Sequence, residues 1–523
     1  MSPDQPRPPA AALMIQGASS SVGKSLLVTA LCRIFARRGV AVAPFKAQNM
    51  SNNAAVCPDG GEIGRAQALQ ARASGVEPDV DMNPILLKPE ADHRSQVIVH
   101  GRPWRTLAAG DYYERKRALW GHVAESLGRL RDRADLLVIE GAGSPAELNL
   151  QASDVVNMAV ARHLAAPVLL VGDVDRGGVF AQLLGTLWLL PDDERRLLRG
   201  FIVNKFRGDP RLFEDGVRIL AERGERPVLG VVPFLPDLGL PEEDAVALDD
   251  AGGPGLAGAL DIAVIRLPHI ANFDDFDPLR AEPRVRLRYV TSADALGRPA
   301  AVILPGSKST AADLDWLRAR GLADAIIRLA DAQGTPIIGV CGGYQMLGRS
   351  IRDPDRVESD RAETPGLGLL PVCTTFAAAK ATRRARGRVV AGPGWLAPLV
   401  GHEFAGYEIH MGQTRADGVD PWLALQHIDD TDAPRPDGAS TPDGRVWGCY
   451  LHGLFDDDRF RRAWLASLRP GWAGPAAPAS DHQTRLDAAL DRLAEAAERA
   501  LDIPAIIALI RDHYPHWQEP AHG

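Results

Sequence analysis

The sequence predicts an α/β protein with two domains, the first of them built on a doubly wound, mostly parallel sheet. Three observations support this prediction. Short runs rich in Val, Ile and Leu alternate with helical stretches and end in Gly, Pro or a polar residue, as strands buried on both faces of a parallel sheet do. The alternation breaks near Asp249–Leu260 into Gly, Pro and Ala and then restarts. The length of 523 residues is too great for one core.

The domain boundaries follow from these breaks. Residues 1–12 are rich in Pro and Ala and are expected to form a loose tail. We predict a first domain at 13–248, a linker at 249–260 and a second domain at 261–523, and we assign the helical stretch near the C-terminus to the second domain.

Composition argues against several classes of protein. The net charge of −8 does not suit nucleic acid or an anionic membrane as the main partner. No run approaches the roughly 20 apolar residues that span a bilayer, and the N-terminal tail lacks the apolar region of a signal peptide. The five cysteines stand far apart without a CxxC pair, so neither a zinc site nor a disulfide framework is implied. We expect a cytoplasmic protein, with the oligomeric state open and a homo-oligomer among the alternatives.

The first strand leads into a phosphate-binding loop. Gly17 to Ser25 reads GASSSVGKS and precedes a helix, with the first glycine one residue further back than in the usual GxxxxGK[ST] spacing. Small residues let backbone N–H groups approach phosphates, the helix N-terminus favours an anion, Lys24 supplies positive charge and Ser25 suits Mg²⁺. The longer spacing resembles dethiobiotin synthetase-like P-loop proteins. The predicted nucleotide contacts are Gly17, Ser21, Gly23, Lys24, Ser25 and Asn204.

Polar residues follow the later strands of the same domain, where an open parallel sheet binds its ligands. Glu140 closes LLVIE and is a predicted Mg²⁺ ligand together with Ser25. Asp173 and Asp175 bind Mg²⁺, hold the partners of an acidic substrate, or cap the next helix; the sequence leaves these three roles open. The predicted substrate mouth comprises Lys46, Gln48, Asn49, Asp173 and Asp175.

A cysteine in the second domain sits where a strand turns into a helix. Cys341 lies in GVCGGYQMLG, after the apolar run TPIIGV. Such a corner exposes a nucleophile, demands small neighbours, and lets the helix N-terminus favour the thiolate. Backbone N–H groups there also stabilise an oxyanion. We therefore predict Cys341 as nucleophile, with Gly342 and Gly306 of ILPGSKST forming the oxyanion hole.

A cysteine nucleophile needs a base. His452 in VWGCYLHGLFD follows an apolar strand and precedes a glycine, and it is the predicted base. His410 in YEIHMGQT is the rival.

Several of these motifs together resemble one family. GVCGGYQMLG, YEIHMG and YLHGLFD are similar to the glutaminase domain of class I-type glutamine amidotransferases, and more narrowly to the cobyric acid synthase branch. GASSSVGKS, PFKAQNMSNN, VIEGAGSPAELNL, GDVDRGGVFA and NKFRGD in the first domain resemble the same branch. The resemblance covers nearly the whole chain and implies a C-terminal class I glutamine amidotransferase-like α/β domain.

The resemblance also implies an activity. Such enzymes use ATP, Mg²⁺ and L-glutamine to amidate the b, d, e and g carboxylates of adenosylcobyrinic acid a,c-diamide, a corrinoid, giving adenosylcobyric acid. One position departs from the broader class I pattern, because Leu454 stands where those triads carry Glu, two residues after the histidine. A carboxylate elsewhere, a backbone carbonyl or water remains to orient His452.

Two other functions compete with this one. The sister enzyme that amidates the a and c carboxylates of cobyrinic acid shares the two-domain plan, and the QNMSNN and EGAGSPAELNL stretches favour the cobyric acid branch over it. A ParA-like P-loop ATPase switch with an inactive glutaminase-like domain is the alternative from another class, and the intact Cys341 and His452 argue against it.

Overall fold

The computed structural model describes residues 8–90, 93–108, 110–112, 116–236, 238–241, 258–428, 433–469 and 481–520. Most of the predicted linker and the first seven residues of the predicted tail lie outside these ranges. The tail ends earlier than predicted, because Ala11 and Ala12 already belong to the first strand and are fully buried in the sheet. Among the helices that the structure describes, none combines the length and the apolar character that crossing a membrane requires.

The first domain is built on the predicted parallel sheet. Short apolar runs form its six strands, and every neighbouring pair is parallel. In sheet order the strands are Val228–Pro233, Leu198–Phe206, Val168–Asp173, Ala11–Gly17, Leu136–Glu140 and Val42–Phe45. Because this order reverses beside the first strand, the ends of Ala11–Gly17, Leu136–Glu140 and Val168–Asp173 meet at one edge, where ligands bind.

Helices cover both faces of this sheet. Helix α1 spans Lys24–Arg37 and helix α2 spans Arg65–Ala73. The other helices of the domain are Trp120–Arg133, Met158–Leu164, Val179–Leu189, Asp192–Arg195 and Glu214–Gly224. The sheet strands carry Val, Ile and Leu on both faces because helices exclude water from each of them.

A smaller, mostly antiparallel layer follows the second strand and was not predicted. Its sheet consists of Gln48–Met50, Ile85–Pro89, Arg94–Val99 and Arg102–Ala108. A hairpin of Ala54–Val56 and Glu62–Gly64 stands beside it. Gln48–Met50 is short and polar and Arg102–Ala108 is mostly exposed, so neither shows the apolar run that marks a buried strand.

The second domain has its own parallel sheet. In sheet order its strands are Val285–Val290, Leu260–Ile265, Ala301–Leu304, Ile337–Val340, Val446–Cys449 and the antiparallel edge strand Ala439–Ser440. Its helices are Asp277–Arg280, Ala293–Leu296, Thr310–Ala319, Leu322–Gln333, Gly342–Leu347 and Asp458–Leu468.

A second, mainly antiparallel sheet completes this domain. The long strands Val372–Val389 and Glu403–Ala416 pair with each other. The shorter strands are Ser350–Arg352, Glu363–Pro365, Leu423–His427 and Arg435–Asp437. A separate pair, Ile270–Ala271 and Gly306–Ser307, lies near the predicted thiol site.

The C-terminal helices pack on the first domain, although we assigned them to the second. His482–Ala500 and Ile503–His513 contribute buried Leu and Ile side chains to the core of the first domain. The backbone N–H of Asp502 donates a 2.7 Å hydrogen bond to the carbonyl of Leu229, and Arg33 of α1 lies 2.8 Å from Asp491. The apolar stripe of these helices is clear in the sequence, but the stripe alone does not indicate which domain the helices pack against.

The two domains meet through polar and apolar contacts. Ala54, Val56, Leu86 and Ile98 of the first domain form a small buried cluster with Ile409 of the second. Beside it, several ion pairs cross the interface. They include Glu62 with Lys380, Glu90 with Lys308 at 2.6 Å, and Arg65 with Asp274 at 2.9 Å.

Candidate active sites

The phosphate loop lies between the first strand and helix α1, as predicted. Gly23 precedes the helix with φ of +93°, and a Cβ there would collide with the side-chain amide of Asn204. That amide donates a 2.8 Å hydrogen bond to the carbonyl of Val22, so Asn204 supports the loop from behind. Ser21 also has positive φ, +58°, which turns the backbone into the tight curve of an anion-binding loop.

The side chain of Lys24 lies inside this loop. Its ammonium donates a 3.2 Å hydrogen bond to the carbonyl of Gly143 and a 3.4 Å bond to that of Ser19, and its side chain is buried. Gly17 lies against the same ammonium, since a Cβ at Gly17 would stand 2.9 Å from Nζ. The loop therefore encloses a fixed positive charge.

Glu140 lies at the centre of the first site. The Ser25 hydroxyl donates a 2.8 Å hydrogen bond to Oε1, and Nζ of Lys46 lies 2.8 Å from the same oxygen. Nε2 of Gln70 donates a 2.7 Å bond to Oε2. Glu140 is buried, so all of these partners stabilise the charged carboxylate. Gln70 was missed in the sequence because it lies inside a helix without a motif.

The remaining strand-end residues lie at the same edge. Nζ of Lys205 lies 2.9 Å from Asp173 and donates to the carbonyl of Ser21. Asp175 is paired with Arg207 at 2.6 Å, and the hydrogen bond from Arg207 lowers the pKa of Asp175. The backbone N–H of Asp175 donates to Asp173 at 2.9 Å, which is a local turn contact. The roles predicted for the two acids remain predictions.

The residues of the predicted substrate mouth lie in two different places. Lys46 lies against Glu140, as described above. Gln48 accepts a hydrogen bond from the hydroxyl of Tyr112, and Asn49 is buried with only 3% of its surface exposed. The structure thus brings Lys46 to the phosphate loop and places Asn49 inside the layer next to it.

Cys341 lies on the predicted corner between a strand and a helix. Its φ of +51° and ψ of −108° are a conformation that a non-glycine residue rarely adopts. A Cβ at Gly343 would collide with the carbonyl of Leu304, and one at Gly342 would stand 2.7 Å from the backbone nitrogen of Ser307. Close backbone packing thus explains the glycines after the cysteine.

The thiol opens into a cleft between the domains. It lies 3.6 Å from the carbonyl of Ile409. Gly306 borders the cleft, and a Cβ at Gly306 would stand 3.4 Å from Cε1 of His452. The cleft is also lined by Lys88 of the first domain, Lys308, Glu358 and Lys380.

Burial governs the charges in this cleft. It raises the pKa of Glu358 to about 7, against the opposing effect of Lys308. It lowers the pKa of Lys380 to about 7, although Glu62 favours the charged ammonium. Glu62 itself accepts hydrogen bonds from both Lys380 and Lys88. Burial would raise the pKa of Glu62, but these two cations outweigh it and lower the pKa to about 2.

His452 lies in the same cleft and is held by a carboxylate. Its Nδ1 is 2.6 Å from Oδ2 of Asp275, and the other oxygen of Asp275 accepts a 3.0 Å hydrogen bond from the Gly453 backbone N–H. Nδ2 of Asn272 lies 3.4 Å from Nε2. Burial would lower the pKa of His452, but the charge and hydrogen bond of Asp275, followed by Cys341, outweigh it and raise the pKa to about 10.

Asp275 was missed in the sequence analysis. It belongs to a short 3₁₀ turn, Phe273–Phe276, and the NFDDFD stretch around it offers several acids without indicating which one faces the histidine. Leu454 is buried in the apolar core, so no acid occupies the usual position.

His410, the rival base, also lines the cleft, and its ring makes three contacts of its own. Its Nε2 lies 3.0 Å from Glu408, its Nδ1 lies 2.8 Å from the carbonyl of Gly412, and its ring stacks on Tyr450 at 3.8 Å. Both nitrogens of His410 thus have partners, and His452 stays the predicted base.

Comparison with known proteins agrees with this architecture. The CobQ/CobB/MinD/ParA nucleotide binding domain family matches residues 13–245, and the CobB/CobQ-like glutamine amidotransferase domain family matches residues 261–460. The protein is therefore of the class that joins a nucleotide-binding P-loop domain to a glutamine amidotransferase domain.

Full-length relatives identify the family within this class. The chain is 54% identical to the cobyric acid synthase of Chloroflexus aggregans over 96% of its own length and 99% of the relative's. It is 56% identical to the cobyric acid synthase of Roseiflexus castenholzii, over 88% of this chain and 92% of the relative. It is 50% identical to that of Moorella thermoacetica, over 96% of this chain and 97% of the relative. The chain belongs to the cobyric acid synthase family.

Proposed function

We propose that this protein is an ATP- and glutamine-dependent amide ligase of cobalamin biosynthesis. It amidates the b, d, e and g carboxylates of adenosylcobyrinic acid a,c-diamide and gives adenosylcobyric acid. Cys341 and His452 release ammonia from glutamine, and the phosphate-loop domain activates each carboxylate as an acyl phosphate. The observation that carries this proposal is that one chain holds both a Cys341–His452–Asp275 arrangement and a phosphate loop facing Glu140.

The glutaminase half begins with the thiol. His452 takes the proton of the Cys341 thiol, and Asp275 stabilises the imidazolium that forms. Sγ attacks the side-chain amide carbon of glutamine, and the backbone N–H groups at Gly342 and Gly306 stabilise the resulting oxyanion. His452 then gives its proton to the leaving nitrogen, so ammonia departs and a thioester remains. Water, deprotonated by His452, attacks the thioester, and glutamate leaves as the thiol re-forms.

The synthetase half takes place at the phosphate loop. A substrate carboxylate oxygen attacks the γ-phosphorus of ATP, ADP leaves, and an acyl phosphate forms. Ammonia attacks the acyl carbon, phosphate leaves and the nitrogen loses a proton, which gives the amide. Lys24 supplies positive charge to the phosphates during the transfer, and the loop backbone, held by Asn204, binds them.

The residues at Glu140 fit a magnesium ion. The carboxylate of Glu140 and the hydroxyl of Ser25 are oxygen donors of the kind that Mg²⁺ prefers, lie together at the phosphate loop, and would hold the ion. Lys46 balances the charge of the carboxylate. Bound there, the ion would neutralise negative charge on the phosphates.

Product mass tests the proposal. The protein is incubated with ATP, Mg²⁺, glutamine and adenosylcobyrinic acid a,c-diamide, and the corrinoid is weighed by mass spectrometry. We expect the mass change of four carboxylates converted to amides, with one glutamate released for each. Two amides added to cobyrinic acid would instead identify the sister activity, and ATP hydrolysis without any amide would indicate the ATPase switch.

The proposed substrates also indicate the cellular compartment in which the protein works. ATP and glutamine are available in the cytoplasm, and a thiol nucleophile persists where cysteines stay reduced. All five cysteines are free in the structure. We therefore propose a cytoplasmic enzyme.

A further inference from the structure

A buried lysine of the first domain lies on the short 3₁₀ turn Lys116–Leu119, which leads into the helix Trp120–Arg133. Only 7% of the surface of Lys116 is exposed. Among the residues that the structure describes, none accepts a hydrogen bond from its ammonium group or forms an ion pair with it. Burial lowers the pKa of Lys116, and the negative charge of Asp154 opposes this effect. The ammonium therefore carries a desolvation cost that no counter-ion among these residues offsets.

The acid nearest in charge to this lysine already binds the backbone. Oδ1 of Asp154 accepts hydrogen bonds of 2.9 and 3.0 Å from the N–H groups of Val156 and Asn157, and Oδ2 accepts a third backbone bond of 2.9 Å. These bonds stabilise the start of the helix Met158–Leu164. Asp154 thus acts on Lys116 by charge alone, and within the described part of the chain the three N–H donors of the ammonium have no acceptor.

The turn that carries Lys116 is attached to the loop 141–154. The next residue of the turn, Arg117, donates a 2.7 Å hydrogen bond from Nε to the carbonyl of Ala152. Asp154, whose charge acts on the lysine, follows two positions later. Lys116 therefore lies beside the end of this loop.

The start of the same loop belongs to the phosphate-loop site. The loop follows Glu140 directly, and the carbonyl of Gly143 accepts the 3.2 Å hydrogen bond from Lys24. Just after the loop, the side chain of Asn157 donates a 2.7 Å bond to the carbonyl of Ala142 and accepts a 3.1 Å bond from its N–H. One short loop, closed by these bonds, thus connects the buried lysine with the site of phosphate transfer.

The surroundings of this loop suit a corrinoid. Tyr112, four positions before Lys116, donates a hydrogen bond to Gln48 of the predicted substrate mouth. Leu148 of the loop exposes half of its surface. A corrinoid combines an apolar macrocycle with several carboxylate side chains. An exposed leucine and a buried ammonium along the same loop match these two parts of the molecule.

We propose that Lys116 binds a carboxylate of the corrinoid, and that this carboxylate is not the one being activated. The reacting carboxylate has to reach the γ-phosphate near Lys24 and Ser25, whereas Lys116 lies at the other end of the loop. A bound carboxylate supplies the counter-ion that the described residues do not, and it fixes the macrocycle relative to the phosphate loop. This inference rests on the proposed function, because it takes a corrinoid with several carboxylates as the substrate.

Lys116→Met tests this binding role on the full chain. Binding of adenosylcobyrinic acid a,c-diamide is measured without ATP, from the absorbance of the free corrinoid after ultrafiltration, and amidation is measured with ammonium as the nitrogen source. We expect Kd and KM for the corrinoid to rise about 10- to 100-fold, as loss of a hydrogen bond between charged groups does. We expect kcat and KM for ATP to stay within about twofold of wild type. Lys116→Arg, which keeps the charge, should lie closer to wild type than Lys116→Met.

Urea unfolding without ligands separates a binding role from a structural one. Lys116→Met removes a buried cation that lacks a counter-ion in the described ranges, so the free energy of unfolding should stay unchanged or rise. A lower free energy of unfolding together with wild-type affinity for the corrinoid would assign Lys116 to the fold and overturn the inference. If Lys116→Met does not fold, Lys116→Gln replaces it: a raised KM for the corrinoid supports the inference, and a wild-type KM overturns it.

Arg218→Gln is the matched control. It removes one positive charge from an exposed helix of the same domain and should match wild type in every assay. A raised KM for ATP with an unchanged KM for the corrinoid in Lys116→Met would assign the lysine to a phosphate group and overturn the inference. Wild-type Kd and KM in that variant overturn the inference alone. A wild-type protein that neither binds nor amidates the corrinoid overturns the proposed function and this inference together.

Discussion

The carboxylate of Asp275 lies 2.6 Å from Nδ1 of His452, although 177 positions separate the two residues in the chain. Its second oxygen accepts a hydrogen bond from the backbone of Gly453. The contact fixes both the tautomer and the rotation of the imidazole and leaves Nε2 to face the thiol. We therefore propose that Asp275 serves as the acid of the site, since Leu454 stands two residues after the histidine.

Asp275→Asn should slow glutamine hydrolysis by about 10²–10⁴-fold, because an amide no longer stabilises the imidazolium or selects its tautomer. Amidation from ammonium should be retained. The measurement is glutamate release beside product mass for each nitrogen source. Asp277→Asn is the control, since Asp277 pairs at 3.9 Å with Arg280, away from the imidazole. Equal glutaminase rates for wild type and Asp275→Asn would show that Asp275 has no role in glutamine hydrolysis.

Cys341→Ala should lose glutamine-dependent amidation by several orders of magnitude, as deletion of a nucleophile does. It should still amidate when ammonium is supplied at mildly alkaline pH, because the acyl phosphate forms in the other domain. His452→Ala should behave likewise. Cys373→Ala, at a strand position outside the cleft, should match wild type. A folded, ATP-competent Cys341→Ala protein that is inactive with ammonium would contradict this division of labour.

Lys24→Ala and Glu140→Ala should abolish amidation from either nitrogen source. The first variant removes the charge enclosed by the loop, and the second removes the carboxylate that Ser25 contacts. Glu222→Gln, on an exposed helix face, serves as the control. Product mass with glutamine and with ammonium is the measurement. Near wild-type turnover by Lys24→Ala would exclude the phosphate-loop assignment.

Leu454→Glu should not accelerate glutamine hydrolysis, because Asp275 already binds His452 and Leu454 is buried in the apolar core. A carboxylate there costs desolvation and should lower the free energy of unfolding. Leu454→Met, which keeps the volume and the apolar character, should leave both quantities nearly unchanged. A hundredfold faster glutaminase in the Leu454→Glu protein would show that the histidine lacks a functional acid.

The His452–Asp275 pair should also make stability depend on pH. The pKa of His452 rises from 6.5 to about 10 on folding, so the pair stabilises the folded protein fully below pH 6.5 and loses this effect as pH rises through about 10. The difference in free energy of unfolding between wild type and His452→Gln, from urea titrations, should therefore be larger below pH 6.5 than above pH 10. In the Asp275→Asn background this pH dependence should shrink. A pH-independent difference in the wild-type background would contradict the raised pKa.

Local patterns in the sequence identified most of the fold. The six strands of the first sheet are short apolar runs of the predicted kind, and Cys341 lies on the predicted corner. These features depend on a few neighbouring residues, such as β-branched runs ending in glycine, and are visible without tertiary contacts.

The missing features depend on distant contacts. Asp275 is one of several acids in NFDDFD, and only the packing of that turn against His452 selects it. Gln70 binds Glu140 from inside an ordinary helix. The C-terminal helices show an apolar stripe, but the complementary surface on α1 lies more than 400 positions away. Local periodicity carries no information about such partners.

The packing of the last two helices on the first domain has a consequence for biosynthesis. A ribosome completes the six-stranded sheet and α1 long before it reaches His482–Ala500 and Ile503–His513. At about 5–20 residues per second, the nascent first domain waits on the order of tens of seconds for them. During that time the apolar surface that they later cover faces water or a chaperone. If the chain leaves the ribosome before these helices are made, the first domain therefore keeps an exposed apolar surface, even when both catalytic sites have been translated.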